Sequence, residues 1–240
     1  MLLMMSTLTQ TTIRGLLACT LLLPFCSCSQ QPESEQSTGA KEDAQASAED
    51  QSLSAIVQCD TGTFVIRLRP DLSPLSVANF CNLVDRGFYH GKEVANSNSI
   101  SRSIGYAPPA PTYRLPAEYS SEIFFDNPGI VAWTFEDTQE GTEQFVPHPT
   151  RFFITIAPQK RWNLQYAPFG TIEEGQDAVK LMQKGDWIRS VKIVGDPTWL
   201  LERYPDQIEE WDRSLDRAGH LRAGTKDTRG TLPKLPLNSN

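Results

Sequence analysis

The first folded part of the chain alternates apolar and polar positions with a period of two. In the run "TGTFVIRLRP", Phe64, Ile66 and Leu68 fall on one face, whereas Arg67 falls on the other. The β-rich run "SAIVQC" comes before it, and an Asp-Thr-Gly turn separates the two runs. This pattern predicts a β-hairpin that opens an antiparallel sheet.

The following segment, "DLSPLSVANFCNLVDRG", changes to the spacing of a helix. Apolar residues recur at intervals of three and four, at Val77, Phe80, Cys81 and Val84. Ser73 is the predicted N-cap, Pro74 fits the first turn and Gly87 fits the stop. We therefore predict one helix that covers one opening of the sheet.

Later segments repeat both patterns. Strands are predicted at "GIVAWTF", "RFFITIAP" and "DWIRSVKIV", and a second helix is predicted at "EGQDAVKLMQKG". Many strands with one early and one late helix favour a mainly β fold, a closed antiparallel barrel capped at its ends. Residues 198–220 predict one or two amphipathic helices, and residues 221–240 predict a disordered tail.

The N-terminus is typical of an exported protein. Arg14 precedes the apolar run "GLLACTLLLPF", which has the length of a signal-peptide core and is short for a membrane span. The residues around Cys28 resemble a bacterial lipoprotein cleavage box, so residues 1–28 are interpreted as a signal peptide and Cys28 as the lipidated residue. An ordinary secretory signal or an uncleaved anchor is the alternative, and Cys26 is a competing cleavage position.

Residues 29–54 contain Gln, Ser, Glu, Ala and Asp without an aromatic residue. Such a segment buries too little apolar surface to offset chain entropy, so it predicts a flexible acidic tether. The expected location is the periplasm or the cell surface, with a membrane partner reached through the lipid anchor.

Charge and chemistry-bearing residues exclude several functions. The net charge is −7 at pH 7 and no Lys/Arg run occurs, which argues against a nucleic-acid partner. The three histidines are scattered and are expected on the surface or in loops, so no metal, cofactor or Ser/His/Asp triad is expected. Cys59 and Cys81 would remain after cleavage at Cys28; a disulfide is open to them, but two buried free thiols are favoured.

The order of motifs from Ala55 to Pro197 resembles the cyclophilin family of peptidyl-prolyl isomerases. The matching blocks are "TGTFVIRLRPDLSPLSVANFCNLVDRGFYHG", "NPGIVAW", "RFFITIAP" and "APFGTIEEGQDAVKLMQKGDWI". The resemblance implies a closed eight-stranded barrel with two capping helices over residues 55–197. It also implies a surface groove that binds proline-containing polypeptide segments.

In that family an arginine donates a hydrogen bond to the proline nitrogen, and a glutamine orients the arginine. Isomerisation breaks no covalent bond, so an apolar pocket and one well-placed donor are sufficient. This sequence departs from the pattern, because Val94, Ala95 and Asn96 stand where the family has Phe-His-Arg. Thr150 and Arg151 replace the family's Ser-Gln before two phenylalanines.

Arg151 is therefore the candidate catalytic donor. Arg102 is a second candidate, in the segment "SISRSIGYAPPAP" that stands where the family has a glycine- and glutamine-rich segment. The alternative for Arg151 is an exposed strand residue paired with an acidic neighbour. The predicted substrate-binding residues are all aromatic: Phe153, Tyr166, Trp162, Trp133 and Phe135. Asn163 and Leu164 stand where the family usually has Asp-Gly, and Phe152 is expected in the barrel core by strand alternation.

Three functions are consistent with this pattern. The favoured one is a peptidyl-prolyl cis-trans isomerase that assists folding of exported proteins with a divergent active site. The second is a non-catalytic, membrane-tethered module or chaperone that binds proline peptides. The third is a structural lipoprotein whose groove is closed by the proline-rich stretch "APPAPTYRLP".

Overall fold

A computed structural model of the protein describes residues 51–135 and 146–222. The predicted signal peptide with Cys28 and nearly all of the predicted tether lie outside the described residues. The same holds for most of the predicted tail.

Eight antiparallel strands form a closed barrel in the order β1-β2-β7-β5-β6-β4-β3-β8. The strands are β1 (Ser54–Cys59), β2 (Gly62–Leu68), β3 (Lys92–Ser97), β4 (Ser101–Ile104), β5 (Ile130–Phe135), β6 (Pro147–Thr155), β7 (Pro168–Glu174) and β8 (Trp187–Val194). The first and last strands pair with each other, with Ser54 opposite Val194. The prediction of a closed eight-stranded barrel is confirmed.

Four α-helices accompany the barrel in the described ranges. They are α1 (Pro74–Asp85), α2 (Gln176–Leu181), α3 (Thr198–Leu201) and α4 (Pro205–Ala218), and a 3₁₀ turn covers Lys160–Trp162. Among the described residues, we find no helix with the length and apolar character needed to span a bilayer.

The barrel interior is filled by the apolar face of each strand and closed by α1. Phe80 of α1 packs against Phe152 of β6 and Phe169 of β7, with ring centroids 5.8 and 5.4 Å apart. Phe152 is 2% exposed, as strand alternation predicts. The helical spacing of α1 therefore places its aromatic residue on the barrel core.

The N-terminus of α1 is capped differently from the sequence prediction. Ser73 occupies the N-cap position, but its hydroxyl donates to the carbonyl of Pro168 at 2.7 Å. The carboxylate of Glu118 instead accepts the N–H groups of Leu75 and Ser76, at 3.1 and 2.7 Å. An acidic side chain at this position also suits the positive end of the helix dipole.

Residues beyond the barrel pack on α1. Arg86, which is 3% exposed, forms ion pairs with Asp212 and Asp216 of α4 and also donates to the carbonyl of His220. The buried charge is paired with two carboxylates, although the Nε of Arg86 has no hydrogen-bond partner among the described residues. Removing either carboxylate would leave the buried charge poorly compensated. This contact fixes α4 against the barrel.

Cys59 and Cys81 are both free and buried. Burial raises the pKa of the Cys81 thiol to about 12, which makes it unreactive at neutral pH.

Candidate active site

The two faces of β6 separate core residues from candidate site residues. Phe152 and Ile154 point into the barrel and belong to its main core, whereas Phe153 belongs to a second apolar cluster. Residues two apart on a strand share a face, so Arg151 lies on the same outer face as Phe153. The sequence therefore places a guanidinium and an aromatic ring side by side outside the barrel.

Phe153 is the centre of an outer aromatic cluster. We use this name for Phe125, Phe135, Phe153, Trp162 and Tyr166. The ring of Phe153 lies 4.9 Å from Tyr166 and 5.3 Å from Trp162, both edge-on. Phe135 stacks on Tyr166 at 4.2 Å, and burial raises the pKa of Tyr166. Four predicted site residues thus meet in one cluster.

Phe125 covers this cluster and was not predicted. Its ring stacks on Phe153 at 6.1 Å and is 1% exposed, and Phe153 itself is only 4% exposed. The backbone of Phe125 is bonded on both sides, since its N–H donates to Asn163 Oδ1 at 2.7 Å and its carbonyl accepts from Gln159 N at 2.6 Å. The half-buried rings of Trp162, Tyr166 and Phe135 therefore supply the accessible aromatic surface.

The covering residues come from an unexpected part of the chain. The third hypothesis assigned closure of the groove to the proline-rich stretch at residues 107–116. The residues packed over Phe153 are instead Ile123 and Phe125. They lie closer to β5 in the sequence, and only Asp126 separates Phe125 from the Asn-Pro-Gly sequence at residues 127–129.

Arg151 is half-buried and lies against Tyr106, an aromatic residue in the loop that follows β4. Its guanidinium carbon is 5.6 Å from the ring centroid of Tyr106, a distance that fits a cation–π contact. The Arg151 backbone is held by His148, whose Nδ1 accepts its N–H at 3.2 Å, and by Thr134, whose hydroxyl donates to its carbonyl at 3.3 Å. The base of this side chain is therefore fixed.

Asn96, at the position where the sequence analysis expected the family's arginine, lies on β3. Asn96 of β3 lies opposite Ser103 of β4, and Ser103 lies opposite Phe153 of β6. Asn96 is exposed and its amide is short and uncharged. Two small polar side chains, Asn96 and Ser103, thus lie in register with Phe153 across neighbouring strands.

Arg102 is wrong as a candidate donor. It is 5% exposed and its guanidinium donates to the carbonyls of Asn98, Ser101 and Lys180, the last at 2.6 Å. Burial lowers its pKa. On β4 Arg102 lies opposite Ile154, a core residue, so strand alternation turns it away from the outer face.

Trp133 is wrong as a substrate-binding residue. It has no exposed surface and stacks on Phe169 at 4.5 Å inside the barrel. Strand alternation explains this position, because its neighbour Ala132 faces the outer aromatic cluster instead. Trp133 supports the core behind the site without touching its surface.

The loop at 160–166 carries one strained position. Leu164 has a positive φ of 58° and is 64% exposed, where the resembling family usually has glycine. The left-handed region costs about 1–2 kcal/mol for a residue with a Cβ. Asn163 compensates locally, since its amide donates to Asp126 at 2.9 Å while its oxygen accepts from Phe125.

His148 and Tyr106 are site neighbours that the sequence analysis missed. His148 was expected in a loop or on the surface, yet it is 6% exposed on β6. His148, Thr150 and Phe152 are alternate residues of one strand, so strand alternation could have predicted that His148 points inward like Phe152. Nothing in the sequence pairs Tyr106 with Arg151, because that contact joins a loop to a strand far along the chain.

No group of three or more His, Cys, Asp or Glu side chains suited to a metal ion occurs within residues 51–135 and 146–222. The described chemistry at the site is thus that of one guanidinium beside aromatic rings. Such a site can donate hydrogen bonds and bind an apolar ring.

Comparison with known proteins identifies the family. Residues 55–196 match the profile of the cyclophilin type peptidyl-prolyl cis-trans isomerase/CLD family. The chain is 30% identical over 149 residues to a peptidyl-prolyl cis-trans isomerase of Synechococcus elongatus, covering 59% of this chain and 97% of the relative. It is 26% identical over 141 residues to peptidyl-prolyl cis-trans isomerase B of Bacillus subtilis, covering 57% and 94%.

Solved structures show the same fold. A cyclophilin type peptidyl-prolyl cis-trans isomerase of Cryptosporidium parvum superposes with a TM-score of 0.52 at 18% identity, covering 61% of this chain and 99% of that one. Its structure in the presence of the dipeptide Ala-Pro gives a TM-score of 0.51 at 17% identity, with 60% and 99% covered. The profile match extends over more than half of the chain, and the protein therefore belongs to the cyclophilin-type peptidyl-prolyl cis-trans isomerase family.

Proposed function

We propose that the protein is a peptidyl-prolyl cis-trans isomerase with a divergent active site, in which Arg151 is the catalytic donor. The observation that carries this proposal is the common outer face of Arg151 and Phe153 on β6, next to the outer aromatic cluster. Family membership supports the reaction, and the relatives named above carry the name of the same activity.

The reaction requires what these residues offer. Rotation about an X-Pro bond meets a barrier of about 20 kcal/mol, because amide resonance is lost in the twisted state. In that state the proline nitrogen becomes a hydrogen-bond acceptor, and a guanidinium donor stabilises it. The half-buried rings of Tyr166, Trp162 and Phe135 provide apolar surface for the proline ring.

The proposed substrates are proline-containing segments of exported polypeptides. The apolar N-terminal run and the lipobox-like sequence at Cys28 support an exported, membrane-anchored protein. Cys28→Ser should abolish incorporation of a fatty-acid label into the protein, as measured by metabolic labelling and immunoprecipitation. Undiminished labelling of the variant would oppose lipidation at Cys28.

The isomerase proposal is tested with the purified full chain and a short Ala-Pro peptide. Exchange between cis and trans peptide is measured by NMR for the wild type, Arg151→Ala and Arg67→Ala. Arg67 is the matched control, since it is an exposed arginine on β2, three strands away around the barrel. We expect Arg151→Ala to lower kcat/KM by about 100-fold or more, while Arg67→Ala stays at the wild-type rate.

A second function, binding without catalysis, is favoured by one observation. Phe125 leaves only 4% of Phe153 exposed, so the aromatic floor that the family resemblance implies is largely covered. A wild-type protein that binds the peptide yet leaves the exchange rate at its uncatalysed value would establish this second function and overturn the first.

A further inference from the structure

The segment after the barrel contacts the rewritten loop at several points. The extension, which we define as residues 198–222, begins after the family match ends at residue 196. The rewritten loop, residues 105–116, starts where β4 ends and carries Tyr106, the residue against which Arg151 lies. Contacts between the two segments therefore bear on the candidate site.

Three contacts join the extension to the rewritten loop. Ser214 Oγ of α4 accepts the N–H of Thr112 at 2.7 Å and lies 3.1 Å from its hydroxyl oxygen. The rings of Tyr113 and Trp211 lie 5.7 Å apart. His220 Nε2 lies 2.9 Å from the carbonyl of Pro109 and donates to it.

The contact side of the extension is buried. Ser214 is 2% exposed, Trp211 is 3% exposed and Tyr113 is 2% exposed. Arg86 also binds α4 through its ion pairs with Asp212 and Asp216. The helix is thus a rigid support for the loop and not a loosely attached tail.

The rewritten loop is in turn tied to the first part of β6 from two sides. At its start, the carbonyl of Gly105 accepts the hydroxyl of Thr150 at 3.3 Å. At Tyr113, the phenol donates to Asn79 Oδ1 at 2.7 Å, and the amide of Asn79 donates to the carbonyl of Pro149 at 2.7 Å. Both ties end within two residues of Arg151.

We propose that the extension positions the active-site arginine, with Ser214 and Trp211 holding the rewritten loop so that Tyr106 supports the Arg151 guanidinium. This inference rests on the proposed function for its catalytic consequence. Tyr106, Ser214 and Trp211 are positioning residues, because they act through Arg151 and not on the substrate.

A physical reason favours such a support. An arginine side chain has about 2 kcal/mol of rotamer entropy, and a guanidinium that acts as a donor must be held at one place. An aromatic face against the guanidinium restricts it without using its N–H groups, since the attraction comes from the ring quadrupole. The ring of Tyr106 can restrict the guanidinium only while the rewritten loop is fixed.

The test measures kcat and KM separately for Tyr106→Leu and Ser214→Ala in the full chain. Tyr106→Leu should lower kcat about 2- to 5-fold with KM unchanged, since an exposed cation–π contact contributes that much. Ser214→Ala should lower kcat in the same way. Arg213→Ala is the control, because Arg213 is on the exposed face of the same helix and its side chain pairs with Glu209 of that helix.

A merely structural role is distinguished by combining variants. In an Arg151→Ala background, Tyr106→Leu and Ser214→Ala should cause no further loss of kcat, because the residue on which they act is gone. Equal losses in both backgrounds would overturn the proposal. Unchanged kcat for both single variants in an active wild type would overturn it as well.

Hydrogen exchange separates this inference from the proposed function. Ser214→Ala should accelerate amide exchange in residues 105–113 and in residues 148–151, whereas Arg213→Ala should leave both segments as in the wild type. If the wild type shows no isomerase activity, the proposed function fails, yet accelerated exchange would still establish the support of the loop. Unchanged exchange in both segments would overturn that support too.

Discussion

Arg102 and Arg151 lie on neighbouring strands of the same barrel but in opposite surroundings. Arg102 on β4 lies opposite Ile154 and donates to carbonyls of the Asn98–Ser101 turn and of α2. Arg151 on β6 shares the outer face with Phe153 and lies against Tyr106. The Arg102 guanidinium donates to backbone carbonyls, whereas the Arg151 guanidinium lies beside an aromatic surface.

This difference teaches that strand parity decides what an arginine in a barrel can do. Both arginines were reasonable donors by residue type and by distance along the chain. A shift of one position along a strand moves a side chain from the interior to the outer face. The register of β4 against β6 therefore removes Arg102 from the candidate site and leaves Arg151.

The strongest test applies one substitution to both arginines. Arg102→Met should lower the free energy of unfolding by about 2–4 kcal/mol, because the carbonyls of Asn98, Ser101 and Lys180 lose charged hydrogen bonds. It should leave kcat/KM of the folded protein unchanged. Arg151→Met should lower kcat/KM by about 100-fold and leave the midpoint of urea denaturation unchanged.

Urea denaturation and peptide exchange kinetics on the two variants measure these effects. A large loss of activity in folded Arg102→Met protein would contradict the distinction between the two arginines.

The outer face can be opened at Phe125. Phe125→Leu shortens the ring that covers Phe153, and we expect a loss of about 1–2 kcal/mol in stability because a 1% exposed side chain is truncated. Peptide affinity should rise, since more of Phe153 becomes accessible. Calorimetric titration with an Ala-Pro peptide measures this, and weaker binding by the folded variant would argue that Phe125 itself forms part of the binding surface.

A smaller effect is expected at the strained residue of the outer face. Leu164→Gly should raise the free energy of unfolding by about 0.5–1 kcal/mol, because glycine adopts φ 58° without steric cost and Leu164 buries little surface. Leu181→Gly is the contrasting control, since Leu181 is equally exposed at 64% but has no positive φ. Leu181 is the last residue of α2, so glycine at this position should lower the free energy of unfolding. Equal losses in both variants would show that the φ of Leu164 carries no cost.

The smallest expected effect concerns pH and the support behind Arg151. Burial lowers the pKa of His220, and the positive charges of Lys92 and Arg86 lower it further. The hydrogen bond to the Pro109 carbonyl raises the pKa but does not outweigh these causes. A base with a lowered folded-state pKa stabilises the fold above its ordinary pKa of about 6.5, and this contribution is lost as pH falls through the folded pKa.

Urea denaturation at pH 7.5 and pH 5.5 checks this prediction. The wild type should lose more stability between the two pH values than His220→Gln does. Identical losses would show that His220 does not titrate with unfolding. Arg102 donates to the carbonyls of Asn98, Ser101 and Lys180, whereas His220 bonds to Pro109 in the loop that carries Tyr106. We therefore expect this pH effect on the side of the molecule that supports Arg151.

Strand and helix patterns were enough to predict the barrel, α1 and the interior position of Phe152. Each depends on a local period of two or 3.6 that can be read directly from the chain. Phe125, Tyr106 and the exclusion of Trp133 could not be predicted in this way. The positions of Phe125 and Tyr106 depend on how an irregular loop folds over a strand. The inward position of Trp133 depends on which alternate residues of β5 face the barrel interior. Neither leaves a periodic signal in the sequence.

Ser73 occupies the predicted N-cap position, but its hydroxyl makes no capping hydrogen bond, for a related reason. A serine before Pro74 satisfies the local rule, but the carboxylate of Glu118 reaches the same N–H groups from a distant loop. Local rules rank the candidates for a contact, and tertiary packing decides which of them makes it.

The pairing of β1 with β8 has a consequence for the order of synthesis. β1 is made first and lies between β2 and β8, so one of its two hydrogen-bonding edges stays open until the last strand has been translated. Contacts between the two ends of a chain form late and slow the folding of β-rich domains. The nascent chain therefore cannot close its barrel along β1 until Trp187–Val194 has emerged from the ribosome.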